Sequence, residues 1–143
     1  MRRKGSAIIE FCVGSGVLMA AFSGVFELGY TFIQYNKLLT AAAHGARYAA
    51  IVPYDSATAS PSAAYLSAVR NMVLYGDPVA GATAVVGGLT SANVLVAVTF
   101  ANGVPGSVSV SITGYTVNAL FRTHALSGKP KVTFPYQGVW APV

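Results

Sequence analysis

The chain has 143 residues, of which 54% are hydrophobic and only 9% charged, with a formal net charge of +5. That composition excludes a disordered chain, which lacks apolar surface to bury, and at this length suits one hydrophobic segment plus one small domain. Three of the positive charges, Arg2, Arg3 and Lys4, stand together at the N-terminus, leaving +2 for the rest, too little for a nucleic-acid footprint.

The basic residues and Gly5 lead straight into an apolar run. From Ser6 to Leu28 the charged residues are Glu10 and Glu27, and none lies between Phe11 and Phe26. As a helix at about 1.5 Å per residue, residues 6–29 cross a hydrocarbon core of about 30 Å. A secretory signal also has a basic start, but its uncharged core is only about 7–15 residues long. Basic residues beside a membrane segment stay cytoplasmic, which puts the N-terminus in the cytoplasm and the residues after about 30 on the far side.

An ionised Glu at a membrane helix centre costs about 2.5–3.5 kcal/mol, so intramembrane acids usually have a partner. Glu10 either snorkels to water and to Arg2, Arg3 and Lys4, or meets a counter-charge from another chain. Glu27 lies 17 residues further on, about 26 Å along the axis. It is expected to emerge solvated at the opposite interface, with Arg47 of a neighbouring helix as an alternative inter-subunit partner. Cys12, Gly16, Ala20 and Gly24 recur every four residues, a small-residue stripe that admits close approach of another helix. Cys12 is the only cysteine, which excludes an intrachain disulfide or a cysteine zinc cluster.

The helical pattern continues from Tyr30 to Val52 without proline. Tyr30, Phe32 and Tyr35 match the aromatic belt where a helix leaves lipid. Leu38, Ala42 and Ala49, with Leu39, Ala46 and Ala50, suit one buried face. Gln34, Asn36, Lys37, His44 and Arg47 mark this half as outside lipid, and Pro53 ends the helix. The rod is then about 70 Å long.

Residues 54–61 have loop chemistry. Ser60 or Ser62 caps a second helix with Pro61 near its start; Ala64, Leu66, Val69, Met72 and Val73 form its buried face, and it ends near Gly76-Asp77-Pro78. After Gly81 the period becomes alternating. Strands over Asn93–Asn102 and Ser107–Tyr115 flank a turn at 102–106, with Val108, Val110 and Ile112 inward. Val117–Leu126 reads as a short helix or a strand, and Lys131–Val139 as a final strand. Phe134, Tyr136 and Trp140 are expected in the core, with an adhesive surface as the alternative. The fold class is α+β, with domains at 1–5 (leader), 6–52 (helix) and 53–143 (outer domain).

Catalytic chemistry finds little support. The four acids are Glu10, Glu27, Asp55 and Asp77, and the histidines are His44 and His124. Two acids flank the membrane run and two suit turns; no serine sits in a nucleophile elbow, and Gly14-x-Gly16 is not between strand and helix. No enzyme activity and no cofactor are expected.

The stretches RKGSAIIEF (Arg3–Phe11), FELGY (Phe26–Tyr30) and AAAHGARYAA (Ala41–Ala50) resemble the TadE-like family of pilin-related proteins from bacterial tight-adherence pilus systems. The resemblance covers the first third of the chain; beyond it only the order of helix, turn and strands is similar. It implies a pilin-like fold and a structural role as a minor pilin or pseudopilin in the inner membrane. It also implies partners: other pilin-like subunits or copies of itself, and a prepilin peptidase that cuts between Gly5 and Ser6. Glu10 would then be the fifth mature residue, pairing with a neighbour's new N-terminal amine. Two other readings stay open: an unprocessed anchored binding module, and a secreted protein cut near Ala21-Phe22-Ser23.

Overall fold

The computed structural model describes residues 3–142. Helix α1 runs unbroken over Arg3–Ile51, 49 residues, stopping just before the residue that Pro53 disfavours in a helix. Helix α2 spans Ala63–Tyr75. Strands β1 (Val94–Ala101), β2 (Val104–Ile112), β3 (Tyr115–Asn118), β4 (Thr123–Leu126) and β5 (Lys131–Pro135) follow. β1, β2 and β5 form an antiparallel sheet in that order, and β3 and β4 form a separate hairpin. The α+β architecture expected from the sequence, a long apolar helix followed by a second helix and antiparallel strands, is present.

Helix α2 is set by its ends. Ser62 is the N-cap, its hydroxyl accepting from the Tyr65 amide at 3.1 Å and donating to Asp55 Oδ2 at 2.6 Å; Asp55 thus holds the cap in place. Gly76, at φ 73°, closes the helix in the left-handed conformation that glycine adopts without strain. Its buried residues are Tyr65, Val69, Val73 and Leu74. Tyr65 takes the place expected for Ala64, which is exposed: both fit a helical period, and the larger ring fills more core volume.

One face of the outer half of α1, Leu38, Ala42, Ala46 and Ala49, is buried against α2 and the sheet. Leu39, expected on that face, points to solvent. Gly45 marks the closest approach of the helices, since a Cβ there would collide with Val73 Cγ2 and lie 3.5 Å from the Val69 carbonyl oxygen. Across the sheet, Val94, Val96 and Val98 meet Ile112, Val110 and Val108 in register, and all six are buried. Asn102 (φ 53°) and Gly103 (φ 81°) supply the two positive φ angles of the tight β1–β2 turn.

Three expectations are corrected. Val117–Leu126 is neither one helix nor one strand; it contains the β3–β4 turn. The last strand stops at Pro135, and residues 136–142 instead strap the end of α1. Trp140 is exposed rather than in the core, because its indole N–H donates to the Ser56 carbonyl at 3.0 Å and its ring stands edge-on to Phe100 at the surface.

Candidate functional site: the free half of α1 and the clasp at Glu27

From Ile8 to Ile33 α1 leaves a near-continuous set of large apolar side chains exposed, among them Phe11, Met19, Phe22 and Phe26. Patches of that size mark protein or membrane contact. By length and composition α1 can cross a membrane, and no part of its most apolar window is buried against the rest of the described chain.

At its lower end, the Gly5–Ser6 bond lies within α1. The Ser6 hydroxyl donates to Glu10 Oε1 at 3.0 Å, one turn away, with both groups exposed. Arg2 lies outside the described residues, as do the side chains of Arg3 and Lys4, so the expected contact between them and Glu10 does as well. Cys12, Gly16, Ala20 and Gly24 are all exposed along one face. Among the described residues nothing lies within 4 Å of where a Cβ on Gly16 or Gly24 would stand.

Glu27 departs from expectation. Instead of being solvated it is 9% exposed. Its Oε2 accepts from the Phe121 amide at 2.9 Å and its Oε1 from the Arg122 amide at 3.0 Å; His124 Nε2 stands 3.9 Å from Oε1. The reason is topological. The β3–β4 hairpin reaches down α1 well below the sheet, and its turn presents two backbone N–H groups to the one carboxylate at that height. Charge-assisted bonds of this kind are stronger than neutral ones. The sequence held one signal for it: an acid at the edge of an apolar run must find donors.

Arg47 is 20 residues above Glu27 on the same helix, about 30 Å along the axis, and the two do not meet within the chain. Its side chain is exposed, with the guanidinium 5.8 Å from the Phe134 ring centre.

The upper end of α1 is closed by tyrosines that sequence reasoning missed. A helix leaves its last four carbonyls without intrahelical partners. Here the buried Tyr65 hydroxyl donates to Ala49 O at 2.6 Å and the Gln137 amide donates to Ala50 O at 2.8 Å, while just past the helix end the Tyr136 hydroxyl lies 3.0 Å from Val52 O. Tyr54 packs edge-on to Tyr65, Phe100 and Tyr136. Burial, and secondarily the neighbouring Tyr136 and Tyr54, push the Tyr65 hydroxyl well above its ordinary pKa. Buried, hydrogen-bonded phenols are structural fasteners. Among the described residues no group of three or more His, Cys, Asp or Glu side chains is placed to hold a metal ion.

No curated protein and no solved structure matches the chain. Residues 5–47, from the leader glycine to the arginine on the outer half of α1, match the family model described as TadE-like protein. The TadE-like likeness read from the first third of the chain is therefore present, and it resides in the long helix α1.

Proposed function

We propose that the protein is a structural, pilin-like subunit, a minor pilin or pseudopilin, that joins a tight-adherence-type pilus through α1. In this reading residues 1–5 are a leader, residues 6–52 form the transmembrane and projecting helix, and residues 53–143 lie outside the cytoplasm. The chain sits in the bacterial inner membrane with its N-terminus inside, and a prepilin peptidase cuts between Gly5 and Ser6.

The observation that carries the reading is the free lower half of α1. Glu10 apart it is apolar around its circumference, its small-residue stripe is open at Cys12, Gly16 and Ala20, and the family match covers it and continues to Arg47. A helix that only tethered a domain would need apolarity but no stripe; a helix that packs on other helices benefits from small residues at the contact. Cleavage would free an amine at Ser6, one turn from Glu10, and in low dielectric the Glu10 carboxylate of a neighbouring subunit is a favourable partner for such a charge.

Two measurements test this. Protein recovered from assembled filaments is sequenced from its N-terminus, with Ser6 expected first; recovery of Met1 or Arg2 overturns processing. Disulfide crosslinking through Cys12 in membranes is expected to join subunits, and its failure under conditions that crosslink a control membrane dimer removes stripe-to-stripe packing.

A further inference from the structure

The turn between β3 and β4 has one feature that the clasp does not use. Leu120 and Phe121 are 72% and 65% exposed, at the tip of a hairpin whose inward residues Tyr115 and Val117 are well buried. Two large apolar side chains held out on a short, fastened turn point to an apolar surrounding.

The height of the turn says which one. Phe121, Arg122 and His124 line a cleft of about 320 Å³ with Ser23, Gly24 and Glu27 of α1. That is the upper end of the uncharged run, where the helix leaves the hydrocarbon. Phe26 and Leu28 are exposed at the same height.

The backbone fits such a location. Non-helical segments enter the membrane boundary only when their polar groups are satisfied. In this turn three of the four amides have partners: those of Phe121 and Arg122 bond Glu27, and that of Ala119 donates to Arg122 O at 2.9 Å. The Leu120 amide at the tip is left to the hydrated headgroups, so the fit is to the membrane boundary and not to the hydrocarbon. Arg122 is exposed beside the apolar pair, where a cationic side chain meets headgroup phosphates.

We propose that the Ala119–Arg122 turn is an interfacial membrane anchor. Leu120 and Phe121 enter the boundary between headgroups and acyl chains on the side of the outer strands, and Arg122 faces the lipid phosphate. The turn and α1 then grip the bilayer at two points, fixing the height and rotation of the outer part above the membrane. This rests on α1 spanning the bilayer, as the proposed function requires.

The test uses the full chain in phosphatidylcholine vesicles whose acyl chains carry bromine at a shallow or a deep position. Single tryptophans are placed by Phe121→Trp, Leu120→Trp, Val17→Trp and Leu95→Trp in a Trp140→Phe background. Val17 lies about 15 Å below Glu27 along α1 and Leu95 faces solvent on β1. The anchor requires blue-shifted emission from tryptophan at position 120 or 121, quenched more by shallow than by deep bromine, while position 17 is quenched by deep bromine and position 95 by neither. Quenching at 17 but at neither turn position overturns the anchor and leaves the spanning helix intact. A blue shift at the turn without quenching means that protein, a second copy or the chain itself, covers it, which also overturns the anchor. No quenching at 17 removes the spanning helix and the anchor together.

Discussion

Glu27 and Arg122 are 95 positions apart, yet the Arg122 amide donates to Glu27 Oε1 at 3.0 Å while the adjacent Phe121 amide takes the other oxygen at 2.9 Å. The contact fixes the β3–β4 turn to α1 at the boundary between its free and packed halves. A charge that would be costly at a membrane edge thus becomes the fastening point of a loop.

Replacing that carboxylate should loosen the turn. Glu27→Ala removes two hydrogen bonds to a charged acceptor, each worth about 1.5–3 kcal/mol of local stability. Amide exchange at Phe121 and Arg122 is expected to accelerate while exchange in β1 and β2 stays slow. Glu27→Gln, which keeps one acceptor oxygen, should fall between. Unchanged exchange in Glu27→Ala means that the turn is held by something else.

At the crossing of α1 and α2, Gly45→Ala is expected to destabilise the fold by about 1–3 kcal/mol through overpacking, despite the better helix propensity of alanine. The cause is the collision with Val73 Cγ2. The second substitution Val73→Ala should therefore cost less in the Gly45→Ala background than alone. Denaturant melts in detergent give the double-mutant cycle, and strict additivity would refute a direct clash.

Tyr65 gives the alkaline limit of stability. Its pKa is raised in the fold, chiefly by burial, so the neutral phenol is favoured there. This contribution is complete below the unfolded value of about 10 and is lost as pH climbs from there toward the higher folded value. Tyr65→Phe is expected to lose about 1 kcal/mol at neutral pH, with the bond to Ala49 O gone, and to show a shallower fall in Tm above pH 10 than the parent. Parallel profiles would mean that Tyr65 is not the titrating group.

The stripe on α1 should matter between subunits and not within one. Gly16→Leu meets no neighbour among the described residues, so the melting of the outer part should be unchanged. Helix association should weaken by about 1 kcal/mol, read as reduced Cys12 crosslinking at equal protein density. A drop in melting temperature instead would show that α1 packs on its own chain below Glu27.

Much of the molecule follows from local pattern. The apolar run, the alanine-rich continuation and Pro53 suffice for one helix nearly up to the proline. Ser62 and Gly76 suffice for the ends of α2, and alternating valines suffice for β1 and β2, because capping, φ restriction and strand period act over a few residues. The candidate stripe was legible for the same reason, since it needs only four-residue spacing on a helix.

Tertiary structure decided what local pattern does not encode: which donors a side chain finds far along the chain. No spacing announced that the turn after Asn118 would descend to Glu27, or that Tyr65 and Gln137 would approach the last carbonyls of α1. Those contacts exist because the sheet, packed on Leu38, Ala42 and Ala46, carries the hairpin down one side of the rod and the C-terminal strap over its end. Once backbone amides and carbonyls are brought there, the cost of leaving them unpaired selects the nearest carboxylate or hydroxyl, and its distance in sequence is irrelevant.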